Sequence, residues 1–174
     1  IATDSDEALV AQVVDRFGDD NIVMSIDYPH ADGGYPNGTK EFLPHLIASG
    51  DGHVVNVSSI FGLFAVPSQS AYNAAKFAVR GFTEALRQEM KLAGHPVKVT
   101  TVHPGGIKTN IVRNSTAAAD IDSAGLNKLF DKGALTTPER AAQIILESVR
   151  KGHARVLVGP DAKIVDVIVR ITGS

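Results

Sequence analysis

Four short runs of apolar residues, separated by helical patterns, constrain the fold of this chain more than any other feature of its sequence. The runs lie at residues 22–26, 53–57, 97–102 and 155–158. The second run reads HVVNV, and such a continuous apolar run is typical of a strand covered on both faces, as in parallel sheets with helical crossovers. No hairpin signal joins the runs. The sequence therefore predicts an α/β fold with a parallel sheet of about four strands flanked by helices.

The intervals between these runs carry helix signals. Apolar residues recur at helical spacing, and Gly or Pro follows where a helix should stop. Thr137-Pro138-Glu139 combines a capping hydroxyl with proline at the first helical position. Residues 114–135 are polar and are predicted to form a loop with a short helix. Helices are predicted from a Thr3-Asp4-Ser5 cap to Gly18, and over residues 39–48, 70–93, 137–151 and 162–171.

The length of 174 residues is that of a single globular domain, predicted to span residues 1–174. A formal net charge of -2 provides no basic surface for nucleic acid or an anionic membrane, so neither partner is expected. The chain contains no cysteine, which excludes disulfides and thiolate chemistry and fits a reducing compartment. Because the sequence shows no signal peptide and no apolar run of about 18 residues, we expect a cytoplasmic protein.

Three residues within NVSSIFGLFAVPSQSAYNAAK (residues 56–76) form a pattern suited to proton transfer. Tyr72 and Lys76 are four residues apart in a predicted helix, so their side chains share one face. A free phenol titrates near about 10, and a nearby ammonium favours the phenolate and brings proton exchange into a useful range. Ser59 follows the preceding strand and is suited to bind a substrate oxygen on which charge develops.

These residues match the Ser and Tyr-x-x-x-Lys signature of the short-chain dehydrogenase/reductase family, which the sequence resembles from about residue 37 to residue 174. VTTVHPGGIKT (residues 99–109) resembles the Pro-Gly turn with which that family holds the nicotinamide. The resemblance implies an oxidoreductase that interconverts a small-molecule alcohol and a ketone with NAD or NADP. The catalytic residues that it implies are Ser59, Tyr72 and Lys76. The cofactor-binding residues that it implies are Asn56, Tyr72, Lys76, Pro104, Gly105, Ile107 and Thr109.

The sequence departs from the family pattern on its N-terminal side. Complete members open with a strand and a Gly-rich turn that places the dinucleotide phosphates at a helix N-terminus. No glycine spacing in these 174 residues fits such a turn. The predicted architecture is therefore a truncated Rossmann-like fold, whose strand at residues 22–26 exposes an unpaired apolar edge. Because exposed edges pair, we expect a homo-oligomer formed through that edge or through the helix that carries Tyr72.

The first 37 residues have a different character. Residues 7–37 resemble the C-terminal part of amidohydrolase-type metal hydrolases, and Asp27 and His30 match the end of their last barrel strand. A catalytic zinc site needs about three protein ligands, and the other ligands of that family are absent from the sequence, so we expect no metal site. The hypothesis is that two unrelated gene fragments, an amidohydrolase-like segment and residues 38–174, meet near NGTKEFL.

Simpler interpretations exist for several of these residues. Ser58 fits a turn or strand-end hydroxyl, because its spacing to Tyr72 is one residue too long. His103 fits a strand-end packing residue better than a residue that lines a cofactor cleft. Gly105 and Gly106 fit either a tight turn or a turn that admits a ligand close to the backbone. Three function classes therefore stay open: an oxidoreductase, a catalytically silent remnant or fusion fragment that only folds or self-associates, and a metal-dependent hydrolase.

Overall fold

The computed structural model describes residues 2–4, 23–25, 38–109 and 133–173. The chain divides into two compact units, residues 1–52 and residues 53–174. In the first unit, strand β1 (Ala2–Asp4) pairs in parallel with strand β2 (Val23–Ser25), with Ala2 opposite Val23. Helix α1 (Gly38–Ala48) follows, close to its predicted bounds. Whether the two units form the single domain predicted from length stays a prediction.

The structure corrects two expectations for the first unit. Thr3 and Asp4 lie in β1, a strand that the sequence analysis did not predict, whereas Ser5 and the predicted helix that ends at Gly18 lie outside the described residues. The predicted strand at residues 22–26 is present as β2, but β1 pairs with one of its edges, which the sequence analysis left unpaired. Short strands such as these are set mainly by their pairing partner, and the three residues of β1 carry no strand pattern of their own.

The second unit contains a three-stranded parallel sheet with the order β3-β4-β5. The strands are β3 (His53–Val57), β4 (Lys98–Pro104) and β5 (Arg155–Val158). Val57 lies opposite Val102, and Pro104 lies opposite Val158, so all three strands end at the same edge of the sheet. The truncated Rossmann-like α/β fold is confirmed. This sheet has three strands, because β2 pairs with β1 in the other unit.

In the described part of this unit, three helices and a 3-10 helix accompany these strands. Helix α2 (Ser70–Leu92), helix α3 (Pro138–Arg150) and helix α4 (Pro160–Thr172) follow β3, β4 and β5, and the 3-10 helix (Ile60–Gly62) lies between β3 and α2. The Thr137 hydroxyl accepts a hydrogen bond from the backbone N–H of Arg140, as its capping pattern predicts. Helix α4 begins at Pro160, earlier than predicted. Within the described residues, no helix combines the length and apolarity needed to cross a membrane.

One hydrophobic cluster of the second unit lies between the sheet and α3. Val102, Val156 and Val158 from neighbouring strands pack with Ala141 of α3, and the half-buried Ile107 packs against them. Five consecutive residues of β4, 99–103, are buried, so the central strand is covered on both faces. Each fully buried valine contributes about 1.5–3 kcal/mol to folding. This core holds the ends of β3, β4 and β5 in fixed positions, and the candidate site lies at those ends.

Candidate active site

The end of β3 places Ser59 at the carboxyl edge of the sheet. Ser59 has extended backbone angles (φ -162°, ψ 169°) and forms the N-cap of the 3-10 helix. Its hydroxyl oxygen accepts a hydrogen bond of 3.1 Å from the backbone N–H of Phe61. The residue is 8% exposed. Because a hydroxyl has one hydrogen and two lone pairs, the Ser59 O–H can still donate to another group.

Close backbone packing joins this segment to the first two turns of α2. The Ser58 hydroxyl donates to the backbone carbonyl of Lys76 over 2.8 Å. A Cβ atom added at Gly62 would lie 2.7 Å from that same carbonyl oxygen and would also collide with the Ser58 hydroxyl, so only glycine fits here. The Asn73 side-chain amide donates to the carbonyl of Val66 over 2.9 Å. Ser58 thus has the strand-end bonding role that its spacing indicates.

Tyr72 and Lys76 lie together beside this segment. The Lys76 ammonium is 5.6 Å from the centroid of the Tyr72 ring, within the range of a cation–π contact. It donates to the carbonyl of Val57 over 3.2 Å, and burial lowers the pKa of Lys76 below its ordinary value. The Tyr72 ring meets the ring of Phe61 edge-on, with centroids 6.2 Å apart, and Tyr72 is 44% exposed. The structure therefore places Tyr72 and Lys76 together, and Phe61 contacts both Ser59 and Tyr72.

His103 lies behind Ser59 and is fully buried. Its Nδ1 atom is 2.9 Å from the carbonyl oxygen of Ser59. A carbonyl oxygen only accepts hydrogen bonds, so Nδ1 carries the proton and donates. Desolvation lowers the pKa of His103, which favours the neutral imidazole. His103 is therefore a packing residue, the interpretation that its sequence position favours, and it also fixes the Ser59 backbone.

The structure does not bring Asn56 to the same place. Its side-chain amide donates to the hydroxyl of Thr83 over 2.9 Å, and that hydroxyl donates to the carbonyl of Val79. Thr83 comes seven residues after Lys76, which corresponds to about 10 Å along a helix axis. Asn56 thus anchors β3 to the middle of α2. Its predicted cofactor contact stays a prediction.

The turn after β4 carries the other predicted cofactor residues, and three separate backbone or side-chain groups fix it. Gly105 donates to the carbonyl of Val158 over 2.9 Å, and Gly106 donates to the carboxylate of Asp161 over 2.6 Å. Further along, Lys108 donates to the carbonyl of Thr136 over 2.8 Å. Pro104, Gly105 and Ile107 are half-buried, and Thr109 is exposed. The Ile107 side chain packs against the core, so the backbone of this residue is the part that a ligand can contact.

The two turns are neighbours, because β3 and β4 are adjacent parallel strands and the backbone N–H of Ser58 donates to the carbonyl of Val102 over 2.8 Å. In open α/β sheets, ligands bind outside the carboxyl ends of the strands. Hydroxyls, an ammonium and a glycine turn that brings its backbone to the surface suit the nicotinamide and ribose of a dinucleotide. The phosphates need a Gly-rich turn at a helix N-terminus, which the 174 residues do not provide.

Sequence reasoning missed Asp161 as part of this site. The Pro160-Asp161 pair is a helix-start signal, since proline is favoured at the first helical position and acids in the first turn. No local pattern indicates that this carboxylate reaches a glycine 55 residues earlier. Phe61 was also missed, although its position within the SIFG turn places it close to Ser59.

Asp27 and His30, which match positions in metal hydrolases, lie outside the described residues. Among the residues that are described, no group of three or more His, Cys, Asp or Glu side chains is placed to hold a metal ion. The absence of a metal site therefore stays an expectation from the sequence.

Comparisons with known proteins identify the family of this chain. A family model described as short chain dehydrogenase matches residues 33–120, half of the chain. SadH of Mycobacterium tuberculosis, which is named as an oxidoreductase, is 61% identical over 160 residues, covering 91% of this chain and 56% of SadH. The dehydrogenase/reductase SDR family member 7B of Xenopus laevis is 38% identical over 122 residues, covering 69% of this chain and 36% of that protein. The chain thus spans about half of these relatives, or less.

Solved structures show the same fold. A short-chain dehydrogenase/reductase from Burkholderia phymatum in complex with NAD superposes with a TM-score of 0.65 at 21% identity, covering 77% of this chain and 52% of that one. A short chain dehydrogenase from Burkholderia cenocepacia in complex with NADP gives a TM-score of 0.61 at 26% identity, covering 78% of this chain and 51% of that one.

The origin of the first 37 residues stays a hypothesis. The family model begins at residue 33, near the expected junction of two gene fragments, whereas the 160-residue match to SadH extends into the first 37 residues. The family model matches half of the chain, and the identity to SadH extends over 91% of it. The chain belongs to the short-chain dehydrogenase/reductase family.

Proposed function

We propose that this chain belongs to an oxidoreductase that interconverts an alcohol and a ketone of small size with NAD or NADP. The observation that carries the proposal is the position of Lys76 beside the Tyr72 ring and next to the Ser59 segment. Two solved structures with the same fold, one in complex with NAD and the other with NADP, support the class of cofactor. The choice between NAD and NADP stays open.

In this proposal Tyr72 is the general acid and base. The Tyr72 side chain is partly exposed, so a substrate can reach it. The Lys76 ammonium lies over the Tyr72 ring, 5.6 Å from its centroid. In the proposal, the positive charge of Lys76 assists proton transfer at the neighbouring phenol. Tyr72 then donates a proton to a carbonyl oxygen during reduction, or accepts it from a hydroxyl during oxidation.

Ser59 holds the substrate oxygen. One of its lone pairs accepts the N–H of Phe61, which orients the hydroxyl, and its O–H donates to the oxygen on which negative charge develops. The neutral imidazole of His103 fixes the Ser59 backbone from the buried side. These two contacts hold the hydroxyl in one position before the substrate binds.

The turn from Pro104 to Thr109 faces the nicotinamide in this proposal. When bound, NAD or NADP accepts or supplies the hydride. Backbone groups of the turn would hold the carboxamide, Lys76 would bind the ribose, and Tyr72 would exchange the proton with the substrate oxygen. The residues proposed to contact the cofactor are Asn56, Tyr72, Lys76, Pro104, Gly105, Ile107 and Thr109, with less support for Asn56.

Tyr72→Phe tests this proposal. It removes the phenol oxygen and keeps the ring that packs on Phe61. We expect NAD(P)H-linked turnover of simple alcohols and ketones to fall by at least about 100-fold, in line with the contribution of general acid–base catalysis. Cofactor affinity, measured by the fluorescence of NADH and NADPH, should change little. Unchanged turnover in the variant would remove Tyr72 from the mechanism.

A second candidate is a catalytically silent, self-associating module. Phe77 and Phe82 on α2 are 40% and 50% exposed, although both are large apolar side chains. We propose that this face of α2 forms a contact between copies of the chain, in either candidate function. The silent module predicts oligomers by light scattering and no saturable binding of NADH or NADPH.

A cytoplasmic location stays an expectation from the sequence.

A further inference from the structure

The Asp161 carboxylate forms an unusual contact with the turn that follows β4. One of its oxygens, Oδ2, accepts a hydrogen bond of 2.6 Å from the backbone N–H of Gly106, 55 residues earlier in the chain. The distance is typical of a strong, charge-assisted hydrogen bond. Asp161 lies in the first turn of α4, where the helix dipole favours a negative charge.

Two glycines leave space for this carboxylate. A Cβ atom at Gly105 would collide with the carboxylate carbon and both oxygens of Asp161. A Cβ atom at Gly159 would collide with Oδ1 of Asp161 and would lie 2.9 Å from the Thr136 hydroxyl. Gly159 also has a φ of +104°, which side-chain-bearing residues rarely adopt. The backbone on both sides of Asp161 is thus shaped around its side chain.

We infer that Asp161 is a positioning residue for the cofactor-holding turn, an inference that rests on the proposed function. The Oδ1 atom of Asp161 is buried and has no hydrogen-bond partner within the described residues. A ligand therefore cannot reach that oxygen, and Asp161 acts on the cofactor only through the backbone of residues 105 and 106. Its carboxylate fixes the N–H direction of Gly106 and thereby the orientation of the carbonyl groups beside it.

This role predicts an effect on cofactor affinity more than on the chemical step. Tyr72 and Lys76 belong to α2, and within the described residues their contacts are with Val57, with Phe61 and with each other, not with Asp161. Removal of the carboxylate leaves the Gly106 N–H without its acceptor and lets the turn sample other conformations. Loss of a hydrogen bond to a charged group corresponds to about tenfold to 100-fold weaker binding.

The test compares Asp161→Ala, Asp161→Asn and the unchanged 174-residue chain. NADH and NADPH are titrated by fluorescence, and amide hydrogen exchange at residues 104–109 is measured without cofactor. We expect Asp161→Ala to weaken binding by about tenfold or more and to speed exchange of the Gly106 amide. Asp161→Asn keeps an acceptor of the same shape, so a smaller effect is expected. The control Glu147→Gln removes an exposed carboxylate from α3 and should change neither measurement.

A double variant tests the packing. Gly105→Ala alone should weaken cofactor binding, because its methyl group meets the Asp161 carboxylate. In Gly105→Ala with Asp161→Ala the collision is relieved, so the combined loss should be smaller than the product of the two single losses.

The possible outcomes distinguish the role of Asp161 from the proposed oxidoreductase function. Saturable binding with equal affinity in Asp161→Ala and the unchanged chain would overturn the role of Asp161 and leave the proposed function intact. Binding of neither NADH nor NADPH by the unchanged chain would overturn the proposed function, and the role of Asp161 with it. Faster exchange without weaker binding would also count against the inference, because the contact would then be structural only.

Discussion

The turn after β3 and the turn after β4 lie at the same edge of the sheet, but different parts of the chain hold them. The Ser59 turn is fixed chiefly by α2, through the bond from Ser58 to Lys76, which are 18 residues apart. The turn after β4 is fixed by the end of β5 and the start of α4, through contacts such as that of Gly106 with Asp161, which are 55 residues apart. The first turn carries the proposed proton chemistry, and the second carries the proposed cofactor contacts.

Proton transfer and cofactor binding therefore depend on different parts of the chain. Residues 56–76 contain most of what the proton-transfer site needs, so a short piece of sequence can specify it. The cofactor turn depends on α4, which comes after the last strand of the sheet. A change near the C-terminus should therefore affect cofactor binding, whereas a change in the 3-10 segment should affect the chemical step.

Among the substitutions that affect the Ser59 turn and the turn after β4 differently, Gly62→Ala is expected to have the largest effect. Its methyl group would lie 2.7 Å from the backbone carbonyl of Lys76 and would collide with the Ser58 hydroxyl. Backbone cannot yield as a flexible side chain does, so the 3-10 helix must move away from α2. We expect the free energy of unfolding in urea to fall by about 1–3 kcal/mol. Turnover should fall by more than about tenfold, since Ser59 moves relative to Tyr72.

Gly81→Ala is the matched control for that variant. Gly81 lies in the same helix, and a Cβ atom at this position meets nothing within 4 Å. Alanine has the higher helix propensity, so this change should raise the free energy of unfolding by up to about 1 kcal/mol. If Gly62→Ala behaved like Gly81→Ala, the close contact between the 3-10 helix and α2 would not exist in solution.

A smaller effect, on the other turn, is expected from Gly159→Ala. The substitution combines the strain of a φ near +104° with a collision against the Asp161 carboxylate. We expect a loss of about 1–2 kcal/mol in the free energy of unfolding, together with weaker cofactor binding and an almost unchanged kcat. Gly173→Ala is its control, because Gly173 has a φ of +79° and open space around it. A fall in kcat without a change in cofactor affinity would contradict the division between the two turns.

The same division explains how much of the structure the sequence predicts. The strands at residues 53–57 and 155–158 are observed with their predicted bounds, because continuous apolar runs and the helix caps beside them are local signals. The proton-transfer residues also form a local pattern, in which the i, i+4 spacing of Tyr72 and Lys76 places both on one helix face. These features follow from neighbours in sequence.

The parts that sequence reasoning missed depend on distant contacts. β1 is defined only by its pairing with β2, and three residues are too few to carry a pattern. Asn56 is next to the motif in sequence, but the hydroxyl of Thr83 attracts its amide to another part of α2. The role of Asp161 depends on two glycines that lie on different turns. In each case tertiary structure, and not local propensity, decides the partner.

His103 gives the smallest effect, and its side chain links the end of β4 to the Ser59 turn. It precedes Pro104 in β4, and its Nδ1 donates to the Ser59 carbonyl. Desolvation, together with the charges of Arg155 and Arg80, lowers its pKa below 6.5, although the Ser59 hydrogen bond and Glu84 act in the opposite direction. The folded chain therefore binds fewer protons at this site than the unfolded chain does. Its contribution to stability is present above about pH 6.5 and is lost as the pH falls below that value.

We therefore expect the free energy of unfolding to decrease between pH 7 and pH 5, with a slope of no more than about 1.4 kcal/mol per pH unit from this residue. His103→Asn should abolish that part of the slope, because asparagine can still donate to the Ser59 carbonyl but does not titrate. Urea unfolding of both proteins across this pH range isolates His103 from the other five histidines of the chain, which are common to both. If the slopes were equal, the buried imidazole would be exchanging protons as freely as one in water, and the two turns would not be joined through a neutral His103.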